Sequence, residues 1–557
     1  ALPTLSILII FLIIFIKKFN FIEIESIDYE IFKIISGENN YKDKLFYDPH
    51  YNFNYLVYFL YLILDKNLNY VLPLIWMISE ILVLFSFKKI IKRFFSDDNL
   101  ILLLFFLFYI SFRSGEIDQK SFSYPFIYFS IYFFLSRKYF FAFLNLSLIY
   151  YFHIGLALWS TIPLFTLFIF TEFERKNYKY LINFSIFFIL LISPIIYFYS
   201  KELLSSSNSF NDRMFIDYWY GNFSNSIYAY FTNLNDLIKF FLQSFFLLFI
   251  YKKFRFENRD LFKKFLILLI GIYFIFFINF IFSDLLQIPS FIKLQLLRGD
   301  FLLYFIVLLL SCFFIASEAR KKHFLPILIF IIFVIPNLIH FKLNLFQIKY
   351  TFILLIFICL IFSNNNFYIN LNRFIILLIE RLIKIKYEKI YLIIFILFIF
   401  QKTASYIFID QNYKNKLIGN ERLVVDHKNT YLKDAIIFVN NNLNDENLIF
   451  ITPFHETDVK YILKYKVLFS PTFMSDYYIP NIQTFKKIIK DDLNIVASNL
   501  YETNWKKKWN ELDTSIVNNW IQNYKLTHAL VDKKKILPFK KIFENELYVV
   551  QDLRIKE

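Results

Sequence analysis

Apolar positions run through residues 1–401 in long stretches, and the polar positions are gathered into the gaps between them. A helix needs roughly 20 apolar residues to cross a bilayer, fewer where flanking side chains reach back to the interface. Reading for such stretches gives about thirteen candidate spans. They cover residues 3–16, 71–87, 99–112, 121–135, 139–152, 155–171, 180–199, 236–251, 262–282, 301–316, 323–339, 349–363 and 388–401. Residues 139–171 read as a broken pair or as one long bent element. After residue 402 the apolar runs shorten to strand length, at 447–452, 466–469, 527–532 and 546–553. Helical patterns alternate with them at 430–442, 456–464, 479–490 and 512–524. The pattern predicts an α-helical polytopic membrane bundle over 1–401 and a small C-terminal α/β domain over 402–557.

The gaps are of two kinds. Every second one is short and cationic: Lys88, Lys89, Lys92 and Arg93; Arg137 and Lys138; Arg175, Lys176 and Lys179; Lys252, Lys253, Arg255 and Arg259; Arg320, Lys321 and Lys322; Arg381, Lys384, Lys386 and Lys389. Such clusters stay on the cytoplasmic side, which predicts a cytoplasmic N-terminus and an extracytoplasmic C-terminal domain in a multi-pass cell membrane protein. The parity depends on residues 370–386, where Arg373, Glu380 and Arg381 interrupt an apolar helix. We read that segment as amphipathic and lying in the cytoplasmic interface. The intervening outer loops, 17–70, 113–120, 200–235, 283–300 and 340–348, are longer and carry acids, so function is expected on the outer face. A semi-apolar segment at 53–64 is too short to span.

Composition narrows the class. The chain is 58% hydrophobic and 22% aromatic with a mean hydropathy of +0.49, which excludes disorder and a collagen-like repeat. Its two cysteines, Cys312 and Cys359, sit inside apolar runs, so no disulfide framework is expected. A net charge of +16 in a soluble chain would point to nucleic acid. Here the cationic loops account for much of it, and no nucleic-acid partner is expected.

The candidate chemistry lies in the outer loops, because ionisable groups at lipid depth are costly. Asp48 stands in Phe46-Tyr47-Asp48-Pro49-His50-Tyr51-Asn52, where it can bind a divalent cation or act as a base; an Asp-Pro turn accounts for it equally well. Glu116-Ile117-Asp118 offers two carboxylates that can share a metal ion, with Arg113 close enough in sequence to meet a phosphate or neutralise the pair. Glu23, Glu25, Asp28 and Glu30 follow the first span as a solvated face, or else Asp28 competes with Asp48 as first-loop carboxylate. Arg213 with Asp217, and Arg298 with Asp300, form a second group able to hold a diphosphate or to pair internally. His153 reads as a packed, hydrogen-bonded histidine, while His340, His455 and His528 lack companions at metal spacing. Lys506, Lys507 and Lys508 between two tryptophans read as a solvated basic turn or a contact for anionic headgroups.

With these acids placed, the chain resembles the GT-C class of integral membrane glycosyltransferases. Its local match is closest to the oligosaccharyltransferase catalytic subunit, through Asp48-Pro49-His50-Tyr51-Asn52 and Glu116-Ile117-Asp118. No tryptophan-tryptophan-aspartate acceptor motif follows the last span. The resemblance implies transfer of a sugar from a polyprenyl-phosphate carrier to a saccharide or other envelope acceptor, with Mg or Mn as cofactor. By that resemblance Asp48, Glu116 and Asp118 would hold the metal, Asp48 or Asp28 would serve the acceptor, and Arg298 would hold the carrier phosphates; Arg213 and Arg113 are further candidate phosphate contacts from their loop positions. A flippase of lipid-linked saccharides and a non-catalytic envelope scaffold remain as the other readings.

Overall fold

The computed structural model describes residues 51–64, 68–95, 100–105, 119–205, 234–254, 259–286, 288, 291, 300–321, 323–338, 345–383, 430–443, 448–451, 463, 465–469, 514–533 and 537–556. The helices of the apolar region are α1 (Tyr51–Ile63), α2 (Leu68–Phe94), α3 (Gln119–Leu135), α4 (Tyr139–Phe152), α5 (Ile154–Glu174) and α6 (Tyr178–Ser205). They continue with α7 (Leu234–Phe254), α8 (Arg259–Asn279), α9 (Asp300–Arg320), α10 (Leu325–Leu338), α11 (Leu345–Phe362) and α12 (Asn366–Ile383). A π-helical segment, Phe280–Leu285, extends α8.

Among the described residues, four helical stretches are long and apolar enough to cross a membrane: Ile154–Glu174, Tyr178–Tyr197, Arg259–Ser283 and Phe301–Arg320. A fifth is reached if the bent pair α11–α12 counts as one span. The expected number, about thirteen, is not reached among the described residues, which carry four or five. Candidate spans 3–16 and 388–401 and most of 99–112 lie outside the described residues. Elsewhere the apolar helices are short, as in α3 and α4, or carry charged ends, as in α2 and α7. The ambiguous stretch 139–171 is a broken pair, α4 and α5, separated at His153.

Burial sorts these helices into centre and rim. The central helix is α9, whose span window is 83% buried, whereas that of α6 is 17% buried and presents Leu190 and Tyr197 outward. In lipid there is no hydrophobic gain from bringing apolar helices together, so close packing has to supply the association. Phenylalanine and tyrosine do this around α9: Phe87 lies edge-on to Phe105 at 4.3 Å, and Tyr128 stacks on Phe305 at 4.7 Å. Such offset and edge contacts add about 0.5–1.5 kcal/mol each beyond area burial. Where α5 and α8 meet, Gly271 lies against Pro163, and a methyl added there would stand 2.5 Å from the proline Cα.

The C-terminal described residues form α13 (Thr430–Asn442), β1 (Ile449–Ile451), β2 (Lys466–Phe469), α14 (Thr514–Tyr524), β3 (His528–Asp532), β4 (Phe539–Glu544) and β5 (Tyr548–Lys556). The sheet order is β2-β1-β3-β5-β4. β1 runs parallel to β2 and β3, while β5 pairs antiparallel with β3 and β4. α13 lays Leu432, Ile436 and Val439 into a core shared with Phe450, Leu530 and Val550. The expected strands at 447–452, 466–469, 527–532 and 546–553 and the helices at 430–442 and 512–524 are all present, within a few residues of their ends. The helical patterns at 456–464 and 479–490 fall almost wholly outside the described residues. β4 is an addition.

Candidate functional site

Asp28, Asp48, Arg113, Glu116, Asp118, Arg213 and Arg298 all lie outside the described residues, as do Glu23, Glu25, Glu30, Asp217, His340, His455 and Lys506–Lys508. What the structure describes is the helix ends they lead into. Asp118 immediately precedes Gln119, the first residue of α3, and Arg298 stands two residues before Asp300, the first of α9. Those two helices enter the bundle side by side. Tyr124 in the second turn of α3 faces Phe301 of α9 with ring centroids 6.4 Å apart, and Tyr128 and Phe305 continue the contact one turn deeper. In sequence, the acidic pair and the arginine thus stand within three residues of the starts of two helices that touch.

The same end of the bundle holds the α4–α5 junction. Phe122 of α3 meets Phe152 of α4 at 4.9 Å. His153 is buried, and its Nδ1 accepts a hydrogen bond from the Leu156 backbone N–H at 3.1 Å, capping α5. Its ring lies 6.1 Å from that of Trp159, so the histidine is a packed cap, as its sequence setting implied. The buried polar side chains in this half of neighbouring helices include Ser123 in α3, Gln243 in α7, Asn279 at the end of α8 and Ser283 in the π-helical segment. That segment closes with Leu286 N–H bonded to Ile281 O and Ile288 N–H to Phe282 O. Short π-helical insertions recur at functional sites because they shift the face a helix presents.

Comparison with family models, curated proteins and solved structures yields no match for this chain. The functional reading therefore rests on residues and geometry.

The opposite end gathers the cationic loops. The turn between α3 and α4 meets the start of α8, where Lys264 Nζ donates to Leu135 O at 3.0 Å and to Asp260 at 2.7 Å, and Arg137 stands 3.8 Å from the same aspartate. Phe95 beyond α2 and Phe254 at the end of α7 both pack against Phe313 of α9, each at 4.9 Å. Two buried carboxylates organise this end. Glu172 accepts from Tyr139 Oη at 2.5 Å and from Asn177 Nδ2 at 2.9 Å. Glu318, near the end of α9, accepts from Lys321 Nζ at 2.9 Å, pairs with His323 Nδ1 at 2.7 Å, and is reached by Lys253 at 3.5 Å and Tyr368 Oη at 3.4 Å. Lys253 also donates to Ser363 Oγ where α11 ends. Sequence reasoning passed over both groups. The available signal was an acid at the end of an apolar run, two residues before Arg320-Lys321, in a setting where an unpaired charge is costly.

These clusters are structural ties, with each carboxylate already engaged by several donors. Among the described residues no group of three His, Cys, Asp or Glu side chains could hold a metal ion. In the C-terminal sheet, Asp552 is held below the usual carboxylate range, chiefly by hydrogen bonds from Arg554. His528 Nε2 stands 3.9 Å from it across the β3–β5 pair. That arrangement ties the β3–β5 strand pair.

Proposed function

We propose that the chain is a GT-C-type membrane transferase that moves a sugar from a polyprenyl-phosphate carrier to an envelope acceptor on the outer face of a cell membrane. The observation that carries the reading is the side-by-side entry of α3 and α9, which starts the Glu116–Asp118 and Arg298 segments from neighbouring points. A carboxylate pair and an arginine so tethered suit the two halves of a phosphorylated donor, a metal-bridged oxygen on one side and a charge-assisted hydrogen bond on the other. The basic loops assemble at the far end, and the positive-inside rule assigns that end to the cytoplasm.

The donor set Asp48, Glu116 and Asp118 is all oxygen, which suits Mg or Mn rather than a softer ion. The metal would supply neutralisation of charge on the leaving phosphate. Arg298 would hold the carrier phosphate in a fixed orientation, with Arg213 and Arg113 as further contacts. The acceptor hydroxyl oxygen forms the new bond to the anomeric carbon as the bond from that carbon to the phosphate oxygen breaks. Asp48, or Asp28 in its place, would take the hydroxyl proton.

The full chain in proteoliposomes with a polyprenyl-phosphate bearing a radiolabelled hexose tests the reading. Asp48→Ala and Asp118→Ala should each abolish transfer while the protein still accumulates in the membrane, and Arg298→Ala should raise KM more than it lowers kcat. Full activity in both carboxylate variants would overturn the site. Carrier movement across the bilayer with no transfer product would favour the flippase.

A further inference from the structure

α12 departs from α11 at a bend of 115°, nearly perpendicular to it, after the short turn Ser363-Asn364-Asn365. The turn is set locally: Asn365 Oδ1 accepts the backbone N–H of Phe367 at 2.8 Å, and Asn365 N–H is bonded to Phe362 O. Around the helix, three kinds of surface follow one another. Tyr368 and Asn372, four residues apart, are buried against the bundle. Tyr368 Oη reaches Glu318, and Asn372 Oδ1 accepts the Leu325 N–H that opens α10 at 2.7 Å. Phe367 and Phe374, seven apart and so aligned, are 74% and 61% exposed. Asn366, Asn370 and Arg373 lie exposed on the face beside them, which Leu377, also exposed, continues toward the C-terminal end.

A helix pinned by its inner face, with large aromatics bare on the next face and polar groups on the third, fits a position along a membrane surface. Crossing the bilayer would bury Asn370 and Arg373 in hydrocarbon. α11 also turns an apolar stripe outward, Ile358, Ile361 and Phe362, as expected for a helix in contact with lipid. Exposed cations ring this end: Arg373 on α12, Lys252 closing α7, and Arg320 and Lys321 closing α9. We propose that α12 is an in-plane anchor, its phenylalanines seated below the headgroups and its surrounding cations contacting anionic phospholipid headgroups of the leaflet at the basic end. The anchor does not depend on the transferase reading. It needs only that the bundle is embedded in lipid.

Site-directed spin labels on the full chain in phosphatidylglycerol-containing nanodiscs test this. Cys312 and Cys359 are both buried, so introduced cysteines can be labelled selectively. Leu190→Cys, on the outward face of α6, supplies a deep reference and shows whether the bundle itself is embedded. Phe367→Cys and Phe374→Cys should report one shared shallow depth, and Asn370→Cys should be open to a water-soluble relaxant. A deep Phe374→Cys label, matching Leu190→Cys while Phe367→Cys stays shallow, would overturn the in-plane anchor. Spin-labelled phosphatidylglycerol should be preferred over phosphatidylcholine at the protein boundary. Arg373→Gln and Lys252→Gln should each reduce that preference, by about fivefold per cation at most. Equal retention of the two lipids would overturn the headgroup contact.

Discussion

Glu318 is the residue on which the basic end depends. Its side chain has no exposure, and its partners come from Lys253 on α7, Lys321 and His323 between α9 and α10, and Tyr368 on α12. Removing a buried carboxylate leaves cations without compensation, which typically costs about 3–5 kcal/mol. Glu318→Ala should therefore lower the thermal unfolding midpoint of the purified full chain sharply. Glu318→Gln, which can still accept from Lys321 and Tyr368, should lose less. Equal midpoints for the wild type and Glu318→Ala would remove the role given to this group. The cluster was only half legible in the sequence: Lys321 and His323 lie three and five residues from Glu318, but Lys253 is 65 and Tyr368 50 residues away. His153 was legible, since its hydrogen bond closes over three residues at a helix start.

Among elements, the helix pair α5–α8 is the most sharply specified. Gly271 is one of only seven glycines in the chain, and it lies where Pro163 approaches. Pro163 has no N–H to donate within α5, so the close approach of α8 comes where that helix already lacks a ladder bond. Gly271→Val should force the two helices apart at a cost of about 1–3 kcal/mol. It would show as a reduced unfolding midpoint with helical circular dichroism retained at low temperature. An unchanged midpoint would mean the helices do not meet there. Periodicity alone found these helices and placed β3 and β5 closely, because their apolar runs are long or unbroken. It missed β4, Phe539-Lys-Lys-Ile-Phe-Glu, for a physical reason. β4 is an edge strand, and its register against β5 shifts twice, between Phe539 and Lys540 and between Lys541 and Phe543. Those shifts break the alternation by which a strand is recognised, while Lys540 and Lys541 guard the edge.

For the whole molecule, the gathering of the basic loops at one end was readable from loop chemistry, while the acid-bearing loops lie outside the described residues. The helix packing adds that the basic loops meet through Glu172, Glu318 and Lys264, so that end is tied by polar contacts as well as by charge sign. The acid-bearing end was readable only as a list of residues. Its geometry enters through the paired starts of α3 and α9, which no spacing in the sequence could have shown, because 181 residues separate Gln119 from Asp300. The proposed function requires that Asp48, Glu116 and Asp118 act together as one divalent-cation site. Electron paramagnetic resonance of Mn(II) titrated into the full chain in nanodiscs tests it most directly, with no donor or acceptor needed. One bound ion per chain is expected, lost in both Asp48→Ala and Asp118→Ala and retained in Glu318→Gln. Binding that survives both carboxylate variants, or no binding to the wild type, would contradict it.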